Sequence, residues 1–277
     1  RARRGRALLL GFFLGRPGQG GQRARLEVGH GQVGEDLGVL VQEARGLAEG
    51  PRDGVEPRGE GLRRAAHRAL LANQAHLLLD ALELRVHPAP PVHLVDVDGA
   101  RQGRPANLDA IGRIAARVAV PLQVAGGLDG ADQVRLAFAA GATRAVVPMA
   151  LADDHLTLLA CLAVAGDWLA VGVDPRPDRL AAFPWRRPRP PAFEEVASEL
   201  AGLGVRRLVL SHGGAEPDAA LIGRLVHDLD LEVLVAGGVV DLAGIRRLRE
   251  AGAAGVILGE ALLAGRIEYP AALEAAA

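Results

Sequence analysis

The sequence predicts an α/β protein: a (β/α)8 TIM barrel built from two repeated half-barrels, its first strand missing or replaced by an atypical N-terminal segment. Three observations carry this. From Val92 onward, short aliphatic runs alternate with helical patterns, the mark of parallel strands joined by crossover helices. The string Gln123-Val124-Ala125-Gly126-Gly127 returns 111 residues later as Leu234-Val235-Ala236-Gly237-Gly238, and the same offset carries Gly141 onto Gly252 and Ala150-Leu151 onto Ala261-Leu262. Seven strand–helix units fit between Val92 and Ala277, one short of a closed eight-fold barrel.

The elements follow in order. Val92 to Val97 is an apolar strand run, and Asn107 caps a helix to Val118 with Leu108, Ile111, Ile114 and Ala115 on one face. A strand Pro121 to Ala125 ends in Gly126-Gly127; a helix Ala131 to Ala140 is stopped by Gly141. The strand Arg144 to Val147 precedes a helix Asp153 to Ala163. Trp168 to Val173 is a strand ending at Asp174, and Phe193 to Leu203 a helix stopped by Gly204. Arg206 to Leu210 is a strand ending at Ser211-His212, followed by a helix Pro217 to Asp228. Glu232 to Ala236 ends in Gly237-Gly238, Asp241 to Glu250 is a helix, and Gly255 to Leu258 is the last strand.

Residues 1–90 differ from residues 91–277, the barrel domain. They hold 14 arginines, 10 acidic residues and 15 glycines, and most of their length has no sustained period. The stretch reads as an Arg/Gly-rich segment, disordered or translated in a shifted frame. Its apolar run Ala7 to Leu14, behind four arginines, imitates a signal peptide, but Arg16-Pro17-Gly18 follows where a small-residue cleavage site belongs. Leu62 to Leu84 has helical spacing. A nucleic-acid role for this basic arm finds only Phe12 and Phe13 among its arginines.

Over the whole chain, 49% of 277 residues are apolar and 3% aromatic, which gives an aliphatic core. No apolar run approaches the roughly 18 to 20 residues of a membrane span. A net charge of −1 offers no global field to nucleic acid or anionic lipid. The single cysteine, Cys161, excludes a disulfide framework and fits a cytoplasmic setting. All 32 basic residues are arginine, so lysine chemistry is excluded. The histidines show no ligand spacing, and no metal is expected.

Gly-Gly between a strand and a helix suits an anion, because glycine admits close backbone approach and the helix start offers free N–H groups. Gly126 and Gly127 on one side, and Gly237, Gly238, Gly259 and Glu260 on the other, would together fit a small molecule with a phosphate at each end. A tight turn without a ligand is the competing reading of each pair.

The run Val92-His93-Leu94-Val95-Asp96-Val97-Asp98-Gly99-Ala100 with Gly103-x-Pro105-x-Asn107-Leu108, the run Pro121 to Gly127, and Gly255-Val256-Ile257-Leu258-Gly259-Glu260-Ala261-Leu262-x-x-Gly265-Arg266-Ile267 resemble the phosphoribosylformimino-5-aminoimidazole carboxamide ribotide isomerase family of histidine biosynthesis, over about residues 92–277. The resemblance implies a cofactor-free Amadori rearrangement of aminoaldose to aminoketose; a monomer is expected. It implies carboxylates at the ends of strands one and six. Strand one is absent, Asp80 being its nearest imitation, and at strand six His212 stands in the aspartate position. Histidine titrates near neutral pH and could serve as the acid. Asp174 matches the family's aspartate after strand five, and Trp185 a tryptophan of its fifth loop, whose Pro184–Pro191 stretch could close over a phosphate. Asp96 is expected to face the mouth as a catalytic or substrate-contacting residue, or else to accept structural hydrogen bonds. Pro148, lacking an N–H, weakens the first phosphate site. A degenerate barrel that binds a phosphorylated ligand without turnover is the alternative.

Overall fold

The structure, a computed structural model, describes residues 8–14, 91–118 and 120–277. The chain divides into two units, and the described residues apart from Arg117 and Val118 lie in the second, formed by residues 6–17, 90–116 and 120–277. Asp80 and the helical pattern of Leu62 to Leu84 lie outside the described residues.

Eight strands close a barrel in sequence order. They are β1 (Leu8–Leu14), β2 (Val92–Asp96), β3 (Leu122–Ala125), β4 (Arg144–Pro148), β5 (Leu169–Val173), β6 (Arg207–Ser211), β7 (Glu232–Ala236) and β8 (Gly255–Leu258). β2 to β8 pair in parallel. The place of the first strand is taken by β1, which runs antiparallel to both neighbours, Leu8 opposite Asp96 and Phe12 opposite Val92 and Leu258. The N-terminal apolar run thus belongs to the barrel, across the boundary drawn at residue 90.

The helices are α1 (Val97–Gln102), α2 (Leu108–Ala115), α3 (Ala131–Ala139), α4 (His155–Ala165), α5 (Pro177–Ala182), α6 (Phe193–Gly202), α7 (Ala219–Leu229), α8 (Leu242–Glu250), α9 (Glu260–Leu263) and α10 (Tyr269–Ala276). Four of these helices start on an aspartate cap, Asp96, Asp154, Asp218 and Asp241. Asp218 accepts from Ala220 and Leu221 N–H, and Asp241 from Gly244 N–H. Asn107, expected to cap α2, makes no such bond. None among the described residues is long and apolar enough to cross a membrane.

Strand alternation sorts the side chains into layers. Val146, Ala170, Val209, Leu234 and Ile257 form the apolar middle of the barrel, with Ala125 and Ala236 against them. One layer below, at the strand starts, the interior is polar. There His93 Nδ1 and Gln123 Nε2 are 2.8 Å apart, Arg144 donates to Gln123 Oε1 at 3.1 Å, and Arg207 pairs with Glu232 and donates to Asp167 O at 2.6 Å. One layer above lies the mouth.

Candidate active site

The same alternation decides what enters the mouth. Counting two residues up from Val209 gives Ser211, and four up from Ala170 gives Asp174. Ser211 is exposed at the end of a strand whose other residues are buried. Val173 pairs with Leu210, so Asp174 and Ser211 stand next to each other in register. Sequence reasoning missed Ser211, because a strand buried on both faces reads as one apolar run and does not disclose its phase.

Asp174 is held by Arg176, with Nη2 to Oδ2 at 2.6 Å, Nε to Oδ1 at 2.8 Å and the Arg176 backbone N–H to Oδ1 at 3.2 Å. Burial alone would push its carboxyl up, but the Arg176 hydrogen bonds and charge outweigh this and hold it below the usual range. It is therefore a carboxylate at neutral pH, and the Arg176 pairing that keeps it ionised also makes it a weaker base.

His212 stands one residue beyond Ser211 and so on the outer side of the strand wall. It lines a cavity shared with Leu180, Phe193 and Leu221 of the surrounding helices rather than the mouth. It is 4% exposed and its Nε2 has no hydrogen-bond partner. Burial lowers its pKa, with Asp174 and Asp218 pulling it up and Arg176 pushing it down.

Asp96 is fully buried at the end of β2. Oδ1 accepts from Gly99 N–H at 2.8 Å and Asn107 Nδ2 at 2.7 Å; Oδ2 accepts from Ala106 N–H at 2.7 Å and Asn107 N–H at 2.9 Å. Of the two roles the sequence allowed, this geometry is that of the structural acceptor, which ties down the loop after β2.

The two Gly-Gly pairs occupy matching turns, all four residues at positive φ, between +72° and +98°. A Cβ on Gly126 would lie 2.2 Å from Asp96 O, and one on Gly127 2.5 Å from Arg104 C. In the second half, a Cβ on Gly237 would lie 2.4 Å from Gly213 O, and one on Gly238 1.8 Å from Ala215 O. The preceding loop packs its backbone onto each pair, which by itself requires glycine. Gly259 precedes the short α9, and the exposed Glu260 is turned to Arg266 at 3.0 Å.

Trp185 donates from Nε1 to Leu180 O at 2.7 Å, and Arg187 lies over its ring at 5.2 Å. Arg187 is committed to Asp153 and Glu199, and Arg189 to Glu195. Two arginines of the loop expected to close on a phosphate are thus spent within the protein, and Asp153 also accepts from Arg186 N–H at 2.8 Å.

A closed barrel in two repeated halves, with its reactive polar groups at the carboxyl ends of the strands, is the architecture of a barrel enzyme. The chain belongs to the family described as histidine biosynthesis protein, whose pattern matches residues 78–268. Three similar proteins share one name, the isomerase of phosphoribosyl-(phosphoribosylamino)methylideneamino-imidazole carboxamide. The protein from Chloroflexus aggregans is 34% identical over 190 residues, 67% of this chain and 79% of its own. That from Roseiflexus castenholzii is 35% identical over 193 residues, 68% and 81%. That from Rubrobacter xylanophilus is 38% identical over 192 residues, 68% and 79%. The alternative of a barrel that binds without turnover gains no support from them.

Proposed function

We propose that this chain is an aldose–ketose isomerase that rearranges a bis-phosphorylated aminoimidazole carboxamide aminoaldose into its aminoketose, the reaction for which its relatives are named. The observation that carries the reading is the pairing of Asp174 and Ser211 at the mouth. Once the ribose ring is open as the imine, the Asp174 carboxylate takes the proton from C2. The electron pair of that C–H bond forms the C1–C2 double bond of an enolamine as the C1=N pair passes to the protonated imine nitrogen. The proton on Asp174 then returns to C1 while the C2 hydroxyl gives its proton to water and becomes the carbonyl. Ser211 donates a hydrogen bond to the C2 oxygen, where the carbonyl develops. Gly126 and Gly127 receive one phosphate, Gly237, Gly238, Gly259 and Glu260 N–H the other, and Trp185 borders the fifth loop. His212 stays outside the mouth.

Leu8–Leu14 contains no ionisable residue, so the second carboxylate of the family has no counterpart in β1. The proton for ring opening is then supplied from outside β1.

The test is steady-state isomerase turnover in the purified full chain. Asp174→Asn should lose on the order of 10²- to 10⁴-fold in kcat, the range of a lost general base. His212→Asn should stay within about threefold, since its ring is not in the mouth. A loss on His212→Asn equal to that of Asp174→Asn overturns the assignment, as does an Asp174→Asn variant that turns over normally.

A further inference from the structure

Between the loops that follow β5 and β6, outside the strand wall, lies a cavity of about 450 Å³. Its walls are stiff and apolar at Pro175, Pro177, Leu180, Pro191, Phe193 and Leu221, with the charged residues Arg176, Glu194, Glu216, Asp218 and Arg224 also in the lining. That volume falls in the range of small-molecule sites, roughly 300 to 1,000 Å³. At its inner end stands His212, 4% exposed, with Nε2 buried and unpartnered. A buried polar atom without a partner costs about 1 to 3 kcal/mol unless something meets it.

We propose that this cavity is a second binding site, separate from the mouth, for a small neutral aromatic alcohol whose hydroxyl meets His212 Nε2. The argument for a neutral ligand is the state of the charges around it. Arg176 is committed to Asp174 at 2.6 Å, Arg224 to Glu194 at 3.0 Å and Glu216 to Arg247 at 2.6 Å. Asp218 is committed to the start of α7, accepting from Ala220 and Leu221 N–H at 2.9 and 3.1 Å. No charge lining the cavity is left to select an ion, and an ion would enter an apolar space uncompensated. The argument for a hydroxyl is the imidazole itself. Burial favours its neutral form, in which Nε2 is a donor in one tautomer and an acceptor in the other. A hydroxyl satisfies either. The argument for a ring is the flat faces of the prolines and Phe193, which bury an aromatic at little conformational cost.

Occupancy would be felt in the mouth. The ligand would touch Arg176, whose guanidinium positions the Asp174 carboxylate and lies within 3.3 Å of where a Cβ on Gly213 would sit. The site is therefore placed to couple to the catalytic carboxylate through one side chain.

Phenol is the probe. The full chain, labelled with ¹⁵N-histidine, is titrated with phenol without substrate, and the His212 ring resonances are followed, assigned from a His212→Leu variant. A saturable shift is expected with Kd on the order of 1 mM, the scale for so small a ligand. Toluene, which lacks the hydroxyl, should bind about tenfold more weakly, the worth of one hydrogen bond. By a displacement assay that difference should vanish in His212→Leu. Ala181→Trp fills the cavity from an exposed position of α5 and should abolish the shift without burdening the fold. A shift that fails to saturate, persists in Ala181→Trp, or is matched by toluene overturns the proposal. None of these readouts uses turnover. A chain that binds phenol but does not isomerise refutes the proposed function alone; one that isomerises but shows no saturable shift refutes this site alone.

Discussion

Asp96 and His212 occupy the same place in the two halves of the barrel. Ala125 and Ala236 correspond in the repeat; Val95 pairs with the first and Ser211 with the second, so each polar residue lies one step past the last pair its strand makes with the strand that follows. Both are buried. Asp96 makes four hydrogen bonds that hold the loop after β2, while His212 Nε2 makes none. The contrast teaches that a buried polar group need not be part of the active centre. Saturated, it is scaffold; unsatisfied, it marks a place where something else is accommodated. The glycines obey one rule in both halves, since each pair is required by the backbone lying over it.

The comparison breaks most clearly at Asp96. Asp96→Ala strands three backbone N–H groups and the Asn107 amide, and should cost about 4 kcal/mol in denaturant unfolding, at the upper end for single substitutions. A cost below about 1 kcal/mol would mean that the loop does not depend on this carboxylate.

A smaller effect is expected from His93, a buried histidine that does have a partner in Gln123. Burial lowers its pKa from 6.5 to about 4. The unfolded chain therefore binds the proton first, and stability present above about pH 6.5 is lost as pH falls toward 4. The slope should approach about 1.4 kcal/mol per pH unit within that window, and His93→Gln should flatten it. An unchanged slope in the variant would place the acid sensitivity elsewhere.

The smallest effect is at His212. Replacing an unsatisfied imidazole with an apolar side chain removes a desolvation cost, so His212→Leu should lie within about 1 kcal/mol of the parent and on the stable side. A loss approaching that of Asp96→Ala would erase the distinction between the two sites.

Much of this arrangement is legible in the sequence. The strand–helix order from Val92 and the two Gly-Gly turns are local patterns, set by hydrophobic period and by glycine at positive φ. The resemblance from Val92 onward anticipates the family. The phase of β6 is not local: Leu208, Val209 and Leu210 are all buried, and only register with β5 and β7 turns Ser211 inward and His212 outward. The polar floor is hidden for a similar reason. Arg144, Arg207 and Glu232 open their strands and read as boundary residues until alternation places them inside the barrel. For β1, Leu8–Leu14 shows an apolar run but not which way it would lie.

That direction has a consequence for anyone rebuilding the site. Seven strands arrive at the mouth carboxyl end first and hand over to a loop there. β1 meets that rim with its amino end, Leu8 beside Asp96, and exits toward the floor beside Val256. A graft meant to bring an acid to the mouth beside β1 must be spliced ahead of this strand; appended after Leu14, it would emerge on the far side of the barrel, a full strand length from the chemistry.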